Sequence, residues 1–167
     1  MSYKVYINGN YLDSNEATIS VFDRGFLFSD SVYEVVHVFE NKLFLYEEHM
    51  QRLERSLSEL KINIPSVNFL EVLKKLLKLN PVDYGGVYIQ ITRGEQDKRS
   101  HFWNNKNLEP NVIAFTVDSK KPDLSLLKVI TSPDLRWARC DIKSTSLLAN
   151  VLAREDAAQK GCDEALL

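Results

Sequence analysis

The sequence predicts an α+β fold, and three local patterns support this prediction. Asn8-Gly9 lies between two apolar segments, and this dipeptide supplies the positive φ angles that a two-residue hairpin turn needs. Residues 32–39 are rich in β-branched and aromatic side chains, which indicates a strand. Residues 47–60 and 69–77 repeat apolar side chains at helical spacing, which indicates two amphipathic helices.

The predicted strand at residues 32–39 has two distinct faces, because side chains alternate along a strand with a period of two. Tyr33 and His37 therefore share one face. Residues 40–42 are predicted to turn the chain, and residues 43–46 are predicted to return as a second strand before the first helix.

Further strands and one helix are predicted after residue 80. Residues 87–92 and 111–117 read as strands, and between them residues 94–110 are polar without any periodicity. A loop of that length in a compact domain tends to be functional or disordered. A strand at residues 127–131 and a helix from about residue 146 to 159 follow, with Gly161 as a candidate C-cap.

The pattern of elements divides the chain into two predicted domains. Residues 1–117 form a small N-terminal α+β domain, and residues 118–125 form a linker in which charge, proline and loss of periodicity coincide. Residues 126–167 form the beginning of a C-terminal domain. Since the chain stops where an apolar strand starts, we expect this second domain to be incomplete.

Composition excludes several classes of protein. Hydrophobic residues make up 44% and charged residues 26% of the chain, as in soluble globular proteins. The net charge of -2 argues against a nucleic-acid-binding protein, and no apolar run resembles a signal or reaches membrane-spanning length. Cys140 and Cys162 lie far apart and show no metal-ligand spacing. We therefore expect reduced thiols, no metal and a cytoplasmic location.

Lys143 is the strongest candidate for a reactive side chain. It follows Arg136 and Arg139 in a short segment and precedes the helix that is predicted from about residue 146. A deprotonated amine in such a position is a nucleophile and can form a Schiff base with an aldehyde cofactor. On spacing alone, an exposed lysine in a basic loop accounts for the same residues.

Four segments become informative when they are taken together, because they occur in one order over essentially the whole chain. They are Asp23-Arg24-Gly25 with Phe28-Ser29-Asp30-Ser31-Val32-Tyr33-Glu34, then Glu48-His49-Met50-Gln51-Arg52-Leu53, then Gln90-Ile91-Thr92-Arg93-Gly94, and lastly Arg136-Trp137 through Lys143 to Gly161-Cys162. In this order they resemble the fold-type IV pyridoxal-phosphate enzymes. That family comprises D-amino acid aminotransferases, branched-chain aminotransferases and aminodeoxychorismate lyases.

The resemblance is greatest to the D-amino acid aminotransferases, and it implies a role for five residues. Lys143 would form the Schiff base with pyridoxal 5'-phosphate, and Arg52 would bind the cofactor phosphate. Tyr33, Arg99 and His101 would hold the α-carboxylate of the substrate. In the family the arginine and histidine reach across from the other subunit, which implies a homodimer. The loop before Arg99 is one residue longer than is typical of the family.

The function implied by the resemblance is transamination of a D-amino acid such as D-alanine with a 2-oxo acid such as 2-oxoglutarate. The substrates would be small molecules, with no nucleic acid or membrane partner. Aminodeoxychorismate lyase, which eliminates pyruvate, and branched-chain aminotransferase are the enzyme alternatives. A truncated chain without turnover is the non-enzymatic alternative, because the family places further cofactor contacts beyond the position of Leu167.

Overall fold

The computed structural model of the protein describes residues 3–103, 108–121 and 126–167. The chain divides into two compact units, of which the first comprises Met1–Lys121 with Ile142–Thr145. The second comprises Pro122–Asp141 and Ser146–Leu167. Part of the predicted linker, residues 122–125, lies outside the described residues, and the two domain bounds given above stay a prediction.

The first unit is built on a six-stranded sheet in which neighbouring strands are antiparallel. In spatial order its strands are β2 (Asn10–Asp13), β1 (Lys4–Ile7), β6 (Val112–Asp118), β5 (Tyr84–Thr92), β3 (Ser31–Phe39) and β4 (Lys42–Leu43). Two of its pairings, β1 with β6 and β3 with β5, join strands that are distant in sequence. Antiparallel sheets commonly bury one face and leave the other open.

The two predicted amphipathic helices are confirmed as α2 (Tyr46–Leu60) and α3 (Phe69–Leu79). Their apolar stripes pack on the sheet, α2 against β3 and α3 against β1 and β6. The inward side chains of the strands complete this core. Its buried members include Val32, Val36, Val38, Leu53, Leu57, Leu73, Leu76, Val87, Ile89, Ile91, Val112 and Ala114.

The predicted hairpin is confirmed, and the predicted return strand is present as β4 but is shorter than residues 43–46. Asn8 and Gly9 have φ angles of 47° and 94°, which connect β1 to β2 by a tight turn. β4 ends at Leu43, and Leu45 adopts a left-handed φ of 50° directly before α2 begins at Tyr46. Apolar residues at this point therefore belong to a helix entry rather than to a strand.

A short helix that the sequence did not predict, α1 (Arg24–Phe28), is tied to the sheet by Asp23. This buried N-cap carboxylate accepts the Gly25 N–H at 2.7 Å through Oδ1. Its Oδ2 accepts the Thr92 hydroxyl at 2.6 Å and the Asn111 amide at 2.7 Å. A helix of five residues has too little periodicity to be recognised, but these bonds fix its position against the end of β5 and the residue before β6.

The second unit contains β7 (Val129–Thr131), α4 (Leu148–Gln159) and β8 (Glu164–Leu166), with β7 parallel to β8. The predicted helix is confirmed within two residues at its start, and Gly161 follows its C-cap with a φ of 67°. Three apolar residues on α4 are exposed, namely Leu148, Val151 and Leu152. Within the described ranges, no helix is long and apolar enough to cross a membrane.

Gly94 should tolerate a side chain less well than Gly9, although both have similar φ angles of 98° and 94°. A Cβ at Gly94 would lie 2.1 Å from the Glu109 carbonyl oxygen, whereas a Cβ at Gly9 would meet nothing within 4 Å. Gly9→Ala reports backbone strain alone, about 1–3 kcal/mol. We expect Gly94→Ala to lower the free energy of unfolding by about 1–3 kcal/mol more, because overpacking adds its own cost. Urea denaturation of both variants measures the difference, and equal losses would contradict the prediction.

Candidate active site

The backbone of Lys143 lies on the edge of β3 that β5 leaves open. β5 pairs with every residue of β3 along one edge, whereas β4 covers only the last two residues of the other edge. The segment Ile142–Thr145 pairs at the opposite end of that second edge. Ser144 forms an antiparallel bridge with Val32, and the Tyr33 N–H donates to the Lys143 carbonyl at 2.9 Å. Lys143 is therefore positioned by the strand that carries Tyr33.

The side chain of Lys143 lies against the ring of Tyr33, on the face of the sheet opposite α2 and α3. Its Nζ is 4.2 Å from the ring centroid, a distance at which an ammonium group is attracted to the ring face. Tyr33 stacks on Tyr88 with centroids 5.5 Å apart, and Tyr88 stacks on Phe115 at 4.8 Å. The amine therefore lies half-buried against a largely apolar surface that these rings form.

Tyr88, whose ring stacks on that of Tyr33, remains protonated at neutral pH and acts as a hydrogen-bond donor. Burial, with a further contribution from Tyr33, raises the pKa of Tyr88 to about 12. Its hydroxyl donates to Gln90 Oε1 at 2.8 Å. The Gln90 amide donates to Ser31 Oγ at 3.4 Å, and Ser31 Oγ lies 2.6 Å from Thr145 Oγ1. A polar chain thus runs from the aromatic rings to the segment of Lys143.

Arg52 is held by a carboxylate that has no exposed surface. Glu34 Oε2 is 2.8 Å from Arg52 Nη2 and 2.8 Å from His49 Nδ1, and its Oε1 accepts the Nε–H of Arg52. Burial alone would raise the pKa of Glu34, but the hydrogen bonds from Arg52 and His49 outweigh it and lower that pKa below its ordinary value. Glu34 is therefore ionised at neutral pH and orients the guanidinium of Arg52.

Helix α2 connects Arg52 to the segment of Lys143. The Lys143 N–H donates to Ser56 Oγ at 3.3 Å, and Ser56 is buried. Ser56 lies four residues after Arg52, so both side chains project from the same face of the helix. The structure thus brings Lys143, Tyr33 and Arg52 together around one end of β3.

The guanidinium of Arg52 has one side available for a ligand. Nε and Nη2 face Glu34, and Nη1 makes no hydrogen bond within the part of the chain that the structure describes. The side chain is 49% exposed, so an anion can approach it. A guanidinium suits phosphate because its N–H groups form a fixed fork. By their chemistry, this guanidinium suits a phosphate and the amine of Lys143 suits an aldehyde.

Arg99 and His101 lie in an exposed loop that follows β5. The Arg99 guanidinium carbon is 5.0 Å and the His101 ring centroid 5.1 Å from the ring of Phe28 on α1. Among the described residues, neither makes a hydrogen bond, ion pair or ring contact with Lys143 or Tyr33. The structure therefore groups the predicted site residues into two sets within the first unit.

Sequence reasoning missed Glu34 and Ser56, although one of them had a visible signal. Glu34 is the carboxylate in an inward row that otherwise reads Val32, Val36 and Val38, and a charge on a core face calls for a partner. Ser56 gave no comparable signal, because its role depends on contact with a segment 87 residues away in sequence.

Comparison with known families and proteins finds one family and a set of close relatives. The profile of the amino-transferase class IV family matches residues 31–167. The D-alanine aminotransferase of Staphylococcus haemolyticus is 40% identical over an alignment of 168 positions, which covers 98% of this chain and 59% of the relative. The D-alanine aminotransferase of Listeria monocytogenes is 38% identical over 170 residues, with the same coverage. The chain thus spans about three fifths of the length of these curated relatives.

Solved structures with the same fold are more distant in sequence. The Escherichia coli branched-chain amino acid aminotransferase superposes with a TM-score of 0.81 at 18% identity, over 99% of this chain and 59% of that one. The branched-chain aminotransferase of the archaeon Thermoproteus uzoniensis, solved with norvaline, gives a TM-score of 0.76 at 20% identity, over 100% and 60%. At these identities the likeness shows the shared fold.

Glu34→Gln should weaken folding most at neutral pH. Because the folded pKa of Glu34 is lowered, its ionised form stabilises the protein above the unfolded pKa, and this stabilisation is lost as pH falls through the folded pKa. We expect Glu34→Gln to lower the free energy of unfolding by about 1–3 kcal/mol at pH 7. Below about pH 4.5, the free energy of unfolding of this variant should decline less steeply with falling pH than that of the wild type.

Urea denaturation at a series of pH values measures both quantities. Glu48→Gln, which alters an exposed carboxylate on α2, the helix of Arg52 and His49, should keep the wild-type slope. A wild-type slope in Glu34→Gln would contradict the assignment of the ionised carboxylate to Arg52 and His49.

Proposed function

The chain belongs to the amino-transferase class IV family, and from this premise we propose that it takes part in pyridoxal-phosphate-dependent transamination of D-amino acids. D-alanine as amino donor and 2-oxoglutarate as acceptor are the proposed substrates. The similarity to D-alanine aminotransferases at 38–40% identity supports this choice. A cytoplasmic location belongs to the same proposal.

The observation that carries the proposal is the position of the Lys143 amine. It lies 4.2 Å from the ring of Tyr33, and its segment is joined through Ser56 to the helix of Arg52. When bound, pyridoxal 5'-phosphate supplies an aldehyde for covalent attachment and an electron sink for the reacting Cα. The amine of Lys143 is the group that would hold it covalently, and Arg52 Nη1 the group that would bind its phosphate.

Lys143 would have a second task after the substrate had displaced it. Its free amine would move a proton between the substrate Cα and C4′ of the cofactor, so that one side chain serves first in covalent binding and then as general acid–base. The stacked rings of Tyr33, Tyr88 and Phe115 would keep water away from one side of this amine. Exclusion of water strengthens the electrostatic interactions inside a site.

Arg99 and His101 are the proposed binders of the substrate carboxylate, together with the hydroxyl of Tyr33. A guanidinium gives a carboxylate two parallel hydrogen bonds, and an imidazole and a phenol add further donors. Arg99 and His101 are exposed and lie apart from the pair of Lys143 and Tyr33 within the described chain. This separation supports a homodimer in which the loop of one subunit completes the site of its partner.

Lys143 should be the residue that becomes labelled when the cofactor is fixed by reduction. The longest reading frame that contains this sequence is incubated with pyridoxal phosphate, reduced with borohydride and digested. We expect the phosphopyridoxyl mass on the peptide of Lys143, and loss of the cofactor absorbance in Lys143→Ala. Lys128→Ala, a change in an exposed part of the second unit, is the matched control and should keep the label. A complete protein with no labelled lysine would overturn the proposal.

The same preparation decides between the family activities. Pyruvate released from D-alanine in the presence of 2-oxoglutarate supports the proposal. Pyruvate released from aminodeoxychorismate, or turnover of L-leucine in its place, would move the assignment to the lyase or to the branched-chain aminotransferase.

Arg99→Ala should raise KM for the amino acid without weakening cofactor binding. Losing a charge-assisted contact to the carboxylate costs about 1.5–3 kcal/mol, which is about 10- to 150-fold in kcat/KM. Steady-state kinetics and cofactor titration measure the two effects. An unchanged KM would show that Arg99 does not contact the substrate.

Co-expression of Arg99→Ala with Lys143→Ala tests whether the loop acts on the partner subunit. If it does, each mixed dimer has one site with an intact lysine and an intact arginine. Random mixing should then restore about a quarter of wild-type activity, because half of the dimers are mixed and half of their sites are intact. No restoration would place Arg99 and Lys143 in the site of the same subunit.

A further inference from the structure

The loop that carries Arg99 and His101 needs an anchor. Residues 97–103 are exposed, and long side chains on an unsupported loop would lose affinity because binding would have to order them. The structure supplies anchoring contacts from three side chains outside the loop, and two of these are buried arginines.

Arg24 is the first of these anchors, and its guanidinium donates hydrogen bonds to the loop backbone. Its Nη1 donates to the Ser100 carbonyl at 2.7 Å and to Gln96 Oε1 at 2.5 Å, and its Nη2 donates to the His101 carbonyl at 3.2 Å. The side chain is only 4% exposed, so water competes little for these donors. One side chain thus fixes the carbonyls of two consecutive residues, Ser100 and His101, and these directly follow Arg99.

Phe28 is the second anchor, and it lies one helical turn after Arg24 on α1. Its ring is contacted from outside the helix by Arg99 and by His101, at 5.0 Å and 5.1 Å. The guanidinium of Arg24 lies 4.9 Å from the same ring. An aromatic face attracts a guanidinium and stacks with an imidazole, so Phe28 restricts both proposed carboxylate binders at once.

Arg93 is the third anchor, and it contacts Trp103, the last residue of the exposed stretch 97–103. Its guanidinium carbon lies 4.1 Å from the Trp103 ring. The same group donates to the carbonyls of Leu60 and Lys61 at the C-terminal end of α2, at 2.6 and 2.8 Å. The negative end of a helix stabilises a cation at this position.

Asp30 keeps the two arginines in place. Its Oδ2 accepts Nε–H groups from both Arg24 and Arg93 at 2.7 Å, and its Oδ1 accepts from Arg93 Nη2 at 2.9 Å. One carboxylate and the end of α2 therefore compensate two buried cations. Such a cluster has a single good geometry, because a displaced buried charge would lose its partner.

We propose that Arg24 and Phe28 are positioning residues for substrate binding: they fix the loop so that Arg99 and His101 present their donors to a carboxylate. The Asp30 and Arg93 pair secures this arrangement against the end of α2. This inference rests on the proposed carboxylate role of Arg99 and His101. It adds that Arg24 and Phe28 raise the affinity for substrate without touching the substrate themselves.

Kinetics of four variants of the complete protein test the inference. Arg24→Lys keeps the charge beside Asp30 but cannot span two carbonyls, and Phe28→Leu removes the ring. Both should raise KM for D-alanine and for 2-oxoglutarate in parallel, with kcat/KM lower by about 10- to 100-fold, as misplacement of binding groups predicts. Phe26→Leu alters an exposed ring on the same helix and should leave both KM values at wild type. Arg99→Ala is the reference for loss of the carboxylate contact.

Three readouts separate positioning from general instability. Cofactor affinity and the thermal midpoint of Phe28→Leu should stay near those of Phe26→Leu, and amide exchange should accelerate in a peptide that spans residues 95–103 but not in β3. If Arg99→Ala raises KM while Arg24→Lys and Phe28→Leu do not, the inference is overturned and the proposed function stands. If Arg99→Ala itself leaves KM unchanged, the carboxylate site fails and the inference fails with it.

Discussion

The ion pairs of Asp30 are the contacts on which the candidate site depends most. They join α1, the end of β5 and the end of α2 through Arg24 and Arg93, which are far apart in sequence. Without this carboxylate the two buried guanidiniums would be left with neutral partners, and breaking a buried charge pair is strongly destabilising. The loop of Arg99 and the end of α2 are therefore fixed relative to each other by electrostatics rather than by apolar packing.

Strand β3 divides the first unit into a core side and a site side. Its period of two sends Val32, Val36 and Val38 under the helices and leaves Tyr33 on the opposite face, beside Lys143. Glu34 breaks the apolar row on the core side, and its charge is accepted there because it binds Arg52 and His49 on α2. The core side of this strand thereby also orients Arg52, the residue proposed to bind the phosphate.

The local patterns predicted elements where the chain makes its own contacts. The Asn8-Gly9 hairpin and the two amphipathic helices follow from backbone preference and apolar spacing within a few residues. The return strand was predicted to extend to residue 46 instead of ending at Leu43, because apolar side chains at the entry of a helix are indistinguishable from a short strand by periodicity. Helix α1 failed because five residues held by Asp23 carry almost no pattern of their own.

By itself the sequence determined the type of most elements and the alternating faces of β3. Through the resemblance of four segments it also determined the candidate site residues, which are Lys143, Arg52, Tyr33, Arg99 and His101. Only the tertiary structure decided which of these come together. Lys143 reaches Tyr33 because its segment pairs with β3, 110 residues earlier in the chain, and the loop of Arg99 is held by Arg24 through carbonyls 76 and 77 residues away. Such contacts depend on which edge, helix face or carbonyl remains open after folding. No local spacing records that information, because it exists only once the strands have paired and the charges have been buried.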